Sequence, residues 1–167
     1  LGDTFIDDIS TDFKSRFDME FPDPSAVTAD DMKTFLADYQ DSFDWSDYTD
    51  ASDSTMNSRI STSETVSTSA TAKSEGFKNL VLASVISSQL VNSGLNSGAL
   101  AVVNDTTTSL AGAAISGIDT QRAQIGLSQE RVEKANTYMS AQKTIIDTQL
   151  NNLVGVDTYE ASTRLTT

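Results

Sequence analysis

The sequence has no cysteine and no histidine. Without them there is no disulfide, no thiol nucleophile, no Ser-His-Asp triad, no imidazole general base and no Cys/His zinc site. Proline is nearly missing, with two residues, and aromatics make up 7%. Basic residues are outnumbered, 11 against 24 acidic ones, for a formal charge of −13. That charge argues against nucleic acid, whose phosphates need a basic face. It argues equally against an anionic membrane surface. No apolar run approaches the roughly 18 residues of a membrane-spanning helix. The first residues lack a cationic stretch followed by an apolar one, so no cleavable signal peptide is expected. Residue 1 is leucine and the chain stops at Thr166-Thr167 without a terminal signature. These ends lead us to expect a fragment of a longer protein.

What is there is hydroxylic and unevenly charged. Ser and Thr supply roughly a quarter of 167 residues, and 38% are hydrophobic. Such a modest apolar content suits long helices burying narrow stripes better than a thick globular core. Residues 1–53 carry 15 acidic and 3 basic side chains, whereas residues 54–167 carry 9 and 8. The break suggests two units with different surroundings. We therefore expect an acidic helical segment over 1–53, a β-hairpin or extended region over 54–72, and a helical core domain over 73–167.

In the first segment Phe5, Ile9, Phe13 and Phe17 recur every fourth residue, with Ile6 beside them. That spacing marks one face of a helix near 4–18. Pro22-Asp23-Pro24 ends it, because a residue before proline is pushed out of the α region. Thr28-Ala29-Asp30-Asp31 then has the form of a capping box with a shortened acid. Met32, Phe35, Leu36, Tyr39 and Phe43 follow at helical spacing, predicting a helix near 29–43. Between Ser54 and Ala70, β-branched and hydroxyl residues alternate, which suggests strands around a turn at Ser61–Glu64.

From Lys73 the period is helical again. Phe77, Leu80, Val81, Ser84, Val85 and Leu90 predict a helix over 73–92, ended by Asn92-Ser93-Gly94. Ser97 is a candidate cap for the next helix. That helix is expected over about 98–153, with a packing seam of Leu100, Val103, Leu110, Ala114, Ile118, Ile125, Val132, Met139, Ile146, Leu150 and Leu153. The seam is about 55 residues or roughly 80 Å long. Gly117 and Gly126 interrupt it, each at a cost of about 1 kcal/mol against alanine. Such a helix needs partners, and residues 73–92 can cover less than half of it. The rest must come from another segment or another subunit. The fold expected is mainly α: a long antiparallel helical or coiled-coil bundle with a small β-hairpin and an acidic helical segment.

Chemistry-bearing patterns are weak. Ser140-Ala141-Gln142-Lys143 has the S-x-x-K spacing in which a lysine activates a serine, but the S-D-N and K-T-G elements that complete such a site are missing. Asp38, Asp41, Asp44, Asp47, Asp50 and Asp53 fall at every third residue, with Tyr39, Phe43, Trp45 and Tyr48 between them. Oxygen-rich runs can bind calcium, yet an EF-hand loop needs alternate ligands, a central glycine and a distal glutamate. An acidic outer surface over packed aromatics explains the run more simply. Glu130 and Lys134 form a favourably ordered i,i+4 pair, worth about 0.3–0.5 kcal/mol. Asn104-Asp105-Thr106 fits a glycosylation sequon, a short match that is common by chance. No catalytic residue, metal ligand or cofactor is expected, and an enzyme is the least favoured class.

Three runs carry a family resemblance. Arg59-Ile60-Ser61-Thr62-Ser63-Glu64-Thr65-Val66 resembles a segment just before the C-terminal helical region of flagellar hook–filament junction proteins. These are the third hook-associated proteins of the flagellin superfamily, in their α-proteobacterial form. Ala123-Gln124-Ile125-Gly126-Leu127-Ser128-Gln129-Glu130-Arg131-Val132 is similar to that family's C-terminal core helix. Val156-Asp157-Thr158-Tyr159-Glu160-Ala161-Ser162-Thr163-Arg164 is similar to the element that leads into its terminal helix. The resemblance covers roughly residues 40–167, and residues 1–35 carry no family signature.

The resemblance implies a structural component of the bacterial flagellum that joins hook to filament. It implies that the long helix packs against N-terminal helices, and that the chain is exported unfolded, without a cleavable signal, to the outside of the cell. Residues 1–53 would end a variable outer domain. The implied partners are other copies and neighbouring hook-associated proteins or flagellin, with no nucleic acid and no membrane; a monomeric state of the fragment alone stays open. Two alternatives are a filament flagellin and a secreted acidic, calcium-dependent adhesin or binding module using the Asp38–Asp53 run.

Overall fold

The computed structural model describes residues 4–52 and 54–165, with side chains over 5–52, 54–155 and 162–164. The protein is mainly α. Four helices, α1 (Thr4–Glu20), α2 (Ala29–Ser42), α3 (Glu75–Leu90) and α4 (Ser97–Leu165), accompany a two-stranded antiparallel hairpin of β1 (Asn57–Arg59) and β2 (Thr65–Ser67). The chain divides into two compact units. One is Leu1–Met56 with Ser69–Ala123, and the other is Asn57–Thr68 with Gln124–Thr167.

In the first unit, Phe5, Ile9, Phe13 and Phe17 are all buried. Ile6 lies one position off this stripe, about 100° around the helix, and is 53% exposed. The helix stops at Glu20, ahead of Pro22, and Asp23 then caps a short 3-10 turn by accepting from the Ser25 amide at 3.1 Å. α2 opens with the capping box. The Asp31 amide donates to Thr28 Oγ1 at 3.2 Å, and the Thr28 amide donates to Asp31 Oδ2 at 3.2 Å. The Thr28 hydroxyl, donating to Asp31 Oδ2 at 2.6 Å, and the Thr28 amide together hold the Asp31 carboxyl below its usual range. Met32, Phe35, Leu36 and Tyr39 face inward from α2. Phe13 meets Tyr39 edge-on at 4.8 Å, and Phe17 meets Phe35 at 5.6 Å. Such ring pairs add to burial that already stabilises each large side chain by about 1.5–3 kcal/mol.

α3 contributes Leu82, Ala83, Val85, Ile86 and Leu90 to the same core, and α4 contributes Ala99, Val103 and Leu110. Gly76 and Gly117 let the two backbones touch. A Cβ on Gly76 would lie 2.8 Å from the Ile118 nitrogen, and one on Gly117 would lie 2.6 Å from the Gly76 Cα. Gly94 adopts φ +82° in the turn after α3, a conformation that favours glycine. The cap of α4 is Asn96, not Ser97. Asn96 Oδ1 accepts from the Gly98 and Ala99 amides, both at 3.0 Å, while Ser97 already has helical geometry. Asn96 Nδ2 donates to the carbonyls of Ser25 and Val27, binding the start of α4 to the α1–α2 connection.

In the second unit, β1 and β2 pair Asn57 with Ser67, Ser58 with Val66 and Arg59 with Thr65. The turn is closed by the Ile60 amide donating to the Glu64 carbonyl at 3.0 Å. Arg59 stiffens it by donating to the carbonyls of Ser61 and Thr62. α4 runs on to Leu165, twelve residues past the expected Leu153, so the run from Val156 continues the same helix.

Candidate assembly surface

The seam of α4 changes character along its length. Within the first unit Val103, Leu110 and Ala114 are buried, and Leu100 and Ile118 are half-buried. Within the second unit Val132 is half-buried and Ile125 is 36% exposed. Met139, Ile146, Leu150 and Leu153 are between 50% and 70% exposed. Tyr138 and Ile145, adjacent to the stripe, are similarly open. Isolated exposed leucines are ordinary, but a continuous stripe of large apolar side chains marks a contact surface.

The hairpin bears on the start of this stretch. Glu64 lies 4.0 Å from Arg131, and Val66 is buried. Ser67 and Thr68 of the hairpin segment and Ile125, Ser128, Gln129, Val132 and Glu133 of α4 line an open groove. Its walls mix hydroxyl, amide, carboxylate and aliphatic surface. Glu130 and Lys134 are paired at 2.6 Å on the exposed face, and the lysine lowers the Glu130 carboxyl. Ser140 and Lys143 both lie on exposed turns of α4, as does Asn104 of the sequon.

One member of the aspartate run serves local structure. Asp44 caps a 3-10 turn over Trp45–Asp47, accepting from the Ser46 amide at 2.9 Å, and this bond lowers its carboxyl. Asp38, Asp41 and Asp50 are exposed, and Asp53 lies outside the described residues. The intervening aromatics pack together, with Phe43 stacked on Tyr48 at 5.4 Å and Phe5 stacked on Trp45 at 5.5 Å. Among the described residues no group of three or more acids is arranged to hold a metal ion. A polar network borders these rings: Tyr48 donates to Asp12 at 2.7 Å, and Asp12 pairs with Arg16 at 3.0 Å. Arg16 in turn lies 5.4 Å from the centre of the Tyr39 ring. Burial pushes the Tyr39 hydroxyl up to about 12 and raises that of Tyr48 further.

Residues 108–167 match the family model of the bacterial flagellin C-terminal helical region. The match covers 60 of the 167 residues and makes that stretch similar to the flagellin C-terminal region. No curated protein and no solved structure matches the chain. The flagellin-like stretch lies wholly on α4 as far as that helix is described, and it contains the whole exposed stripe from Ile125 to Leu153. No helix among the described residues is long and apolar enough to cross a membrane.

Asn96, the Gly76–Gly117 contact, the Glu64–Arg131 pair and the Asp12–Arg16–Tyr48 network were not foreseen from sequence. Asn96 could have been found, since Asn is as good a cap as Ser and precedes Gly98 by the right interval. The Gly76–Gly117 contact, the Glu64–Arg131 pair and the Tyr48–Asp12 bond join residues at least 36 positions apart and leave no local signal, whereas Asp12 and Arg16 stand only four apart.

Proposed function

We propose that this chain is a structural subunit of the bacterial flagellum, of the α-proteobacterial third hook-associated type, acting where the hook meets the filament. Its work is packing. The α4 seam, Leu100 to Leu153, buries against neighbouring helices, and the exposed flanks meet other copies and adjoining hook-associated proteins or flagellin. Residues 1–53 serve as the end of an outer variable domain, residues 54–72 as the hairpin region and residues 73–167 as the core. The chain reaches the cell exterior by unfolded export. The observation that carries this reading is the flagellin-like match on a helix whose apolar stripe stands open past Ile118.

The match is to a flagellin region, which favours filament flagellin as the second reading. Copy number separates the two. Quantitative immunoblotting and gold labelling of purified flagella should find a ring of subunits at the hook end, and deletion should abolish swimming in soft agar while leaving hooks intact. Labelling along the whole filament would transfer the protein to the second reading. Absence from flagella, with normal swimming of the deletion strain, would refute both.

A further inference from the structure

An aromatic-floored hollow lies between α1 and α2, away from α4. Arg16, Met19 and Glu20 stand three and four residues apart on α1, so they share one face of that helix. Phe35, Asp38, Tyr39 and Ser42 do the same on α2. The two stripes line an open groove of about 460 Å³ within the first unit. Phe35 and Tyr39 are buried and form its base, whereas Met19 is 74% exposed.

The charge of this groove is one-sided. Arg16 is already committed within the fold. Its guanidinium pairs with Asp12 at 3.0 Å, donates to Ser42 Oγ at 3.3 Å and lies over the Tyr39 ring. Glu20 and Asp38, one from each helix, are exposed. Neither makes an ion pair or a side-chain hydrogen bond among the described residues. Both belong to the segment of residues 1–53, which carries 15 acids and 3 bases. Tyr39 adds an acceptor, a buried hydroxyl with no hydrogen-bond partner among the described residues, which an incoming N–H donor would satisfy. Aromatic rings flanked by carboxylates attract a cation through the ring quadrupole and through charge together.

We propose that this groove binds a basic segment of a partner protein, which sets a lysine or arginine between Glu20 and Asp38 and an aliphatic side chain against Met19. The flexible thioether of an exposed methionine adapts to such a neighbour. A small cation alone would engage the acids and leave Met19 and the ring edges uncovered. The groove lies outside the flagellin-like stretch of residues 108–167, so the inference stands apart from the assembly reading.

The probe is a short helical peptide of lysine, leucine and alanine, titrated into the whole chain. The four methionines, Met19, Met32, Met56 and Met139, give separate methyl signals by NMR. At about 0.15 M salt, which screens exposed charges more than roughly 8 Å apart, the peptide should shift the Met19 signal and leave Met56 and Met139 in place. The double variant Glu20→Gln with Asp38→Asn should weaken binding at least about fivefold. Asp8→Asn with Asp30→Asn removes the same charge from exposed positions off the groove, and should change binding by less than about twofold. All four acids are exposed, so circular dichroism should show unchanged helicity in both variants. Equal weakening by the two variants would reduce the attraction to net charge and overturn the inference. Shifts at Met56 or Met139 without Met19, or no shift at about 1 mM peptide, would overturn it as well. Tetramethylammonium moving Met19 at the same concentrations as the peptide would overturn it in favour of a small cation.

Discussion

Gly76 and Gly117 meet backbone to backbone, and a methyl group on either would sit within 3.0 Å of main-chain atoms. Main chain cannot swing aside as a side chain can. Gly76→Ala and Gly117→Ala should each cost about 1–3 kcal/mol in denaturant melts. Gly126 is helical as well, but a Cβ there would meet nothing within 4 Å. Gly126→Ala should therefore gain about 0.5–1 kcal/mol, and the opposite signs test the close approach itself. Tyr39 offers a second residue-scale test. Burial raises its hydroxyl from about 10 in an unfolded chain to about 12 in the fold. The folded state thus holds the proton more tightly, and the stability this gives is complete below pH 10 and lost as pH rises through about 12. Tyr39→Phe should make the denaturant midpoint fall less steeply across that window.

At the scale of elements, the two halves of α4 should respond differently to the same change. Leu110 is buried in the core of the first unit, and Ile146 is 61% exposed. Leu110→Ala should cost about 2–5 kcal/mol in the isolated chain. Ile146→Ala should stay within about 0.5 kcal/mol when measured on dilute monomer. Sequence reading located the helices because Phe5, Ile9, Phe13, Phe17 and the later seam are strongly periodic. It located the end of α1 because Pro22 leaves little choice, and the start of α2 because Thr28 and Asp31 are three residues apart. It stopped α4 at Leu153 too early. Gly155 and the β-branched Val154 and Val156 lower local helix propensity, while the observed helix continues to Leu165. It also read Gly117 as a weak point of the seam, since spacing cannot reveal a neighbour 41 positions away. The Asp38–Asp53 run was legible as an acidic surface over packed aromatics, while the cap that Asp44 supplies to a 3-10 turn was not.

For the whole molecule, the two units differ in what keeps them dry. The first encloses a core of aromatic and aliphatic residues drawn from all four helices. In the second, Val66 is the large buried side chain among the described residues. Stability follows burial, so backbone protection should be uneven. Hydrogen exchange read by mass spectrometry should show slow amides in α4 up to about Ala123 and markedly faster ones beyond, in dilute monomer. Uniform protection along the helix would mean that the second unit has support of its own.

Asn96 has a consequence for register. Its side chain closes the first turn of α4 while holding the carbonyls of Ser25 and Val27, some seventy residues away in sequence. The long helix thus has one defined starting point, and the costly first turn is set in one place along the chain.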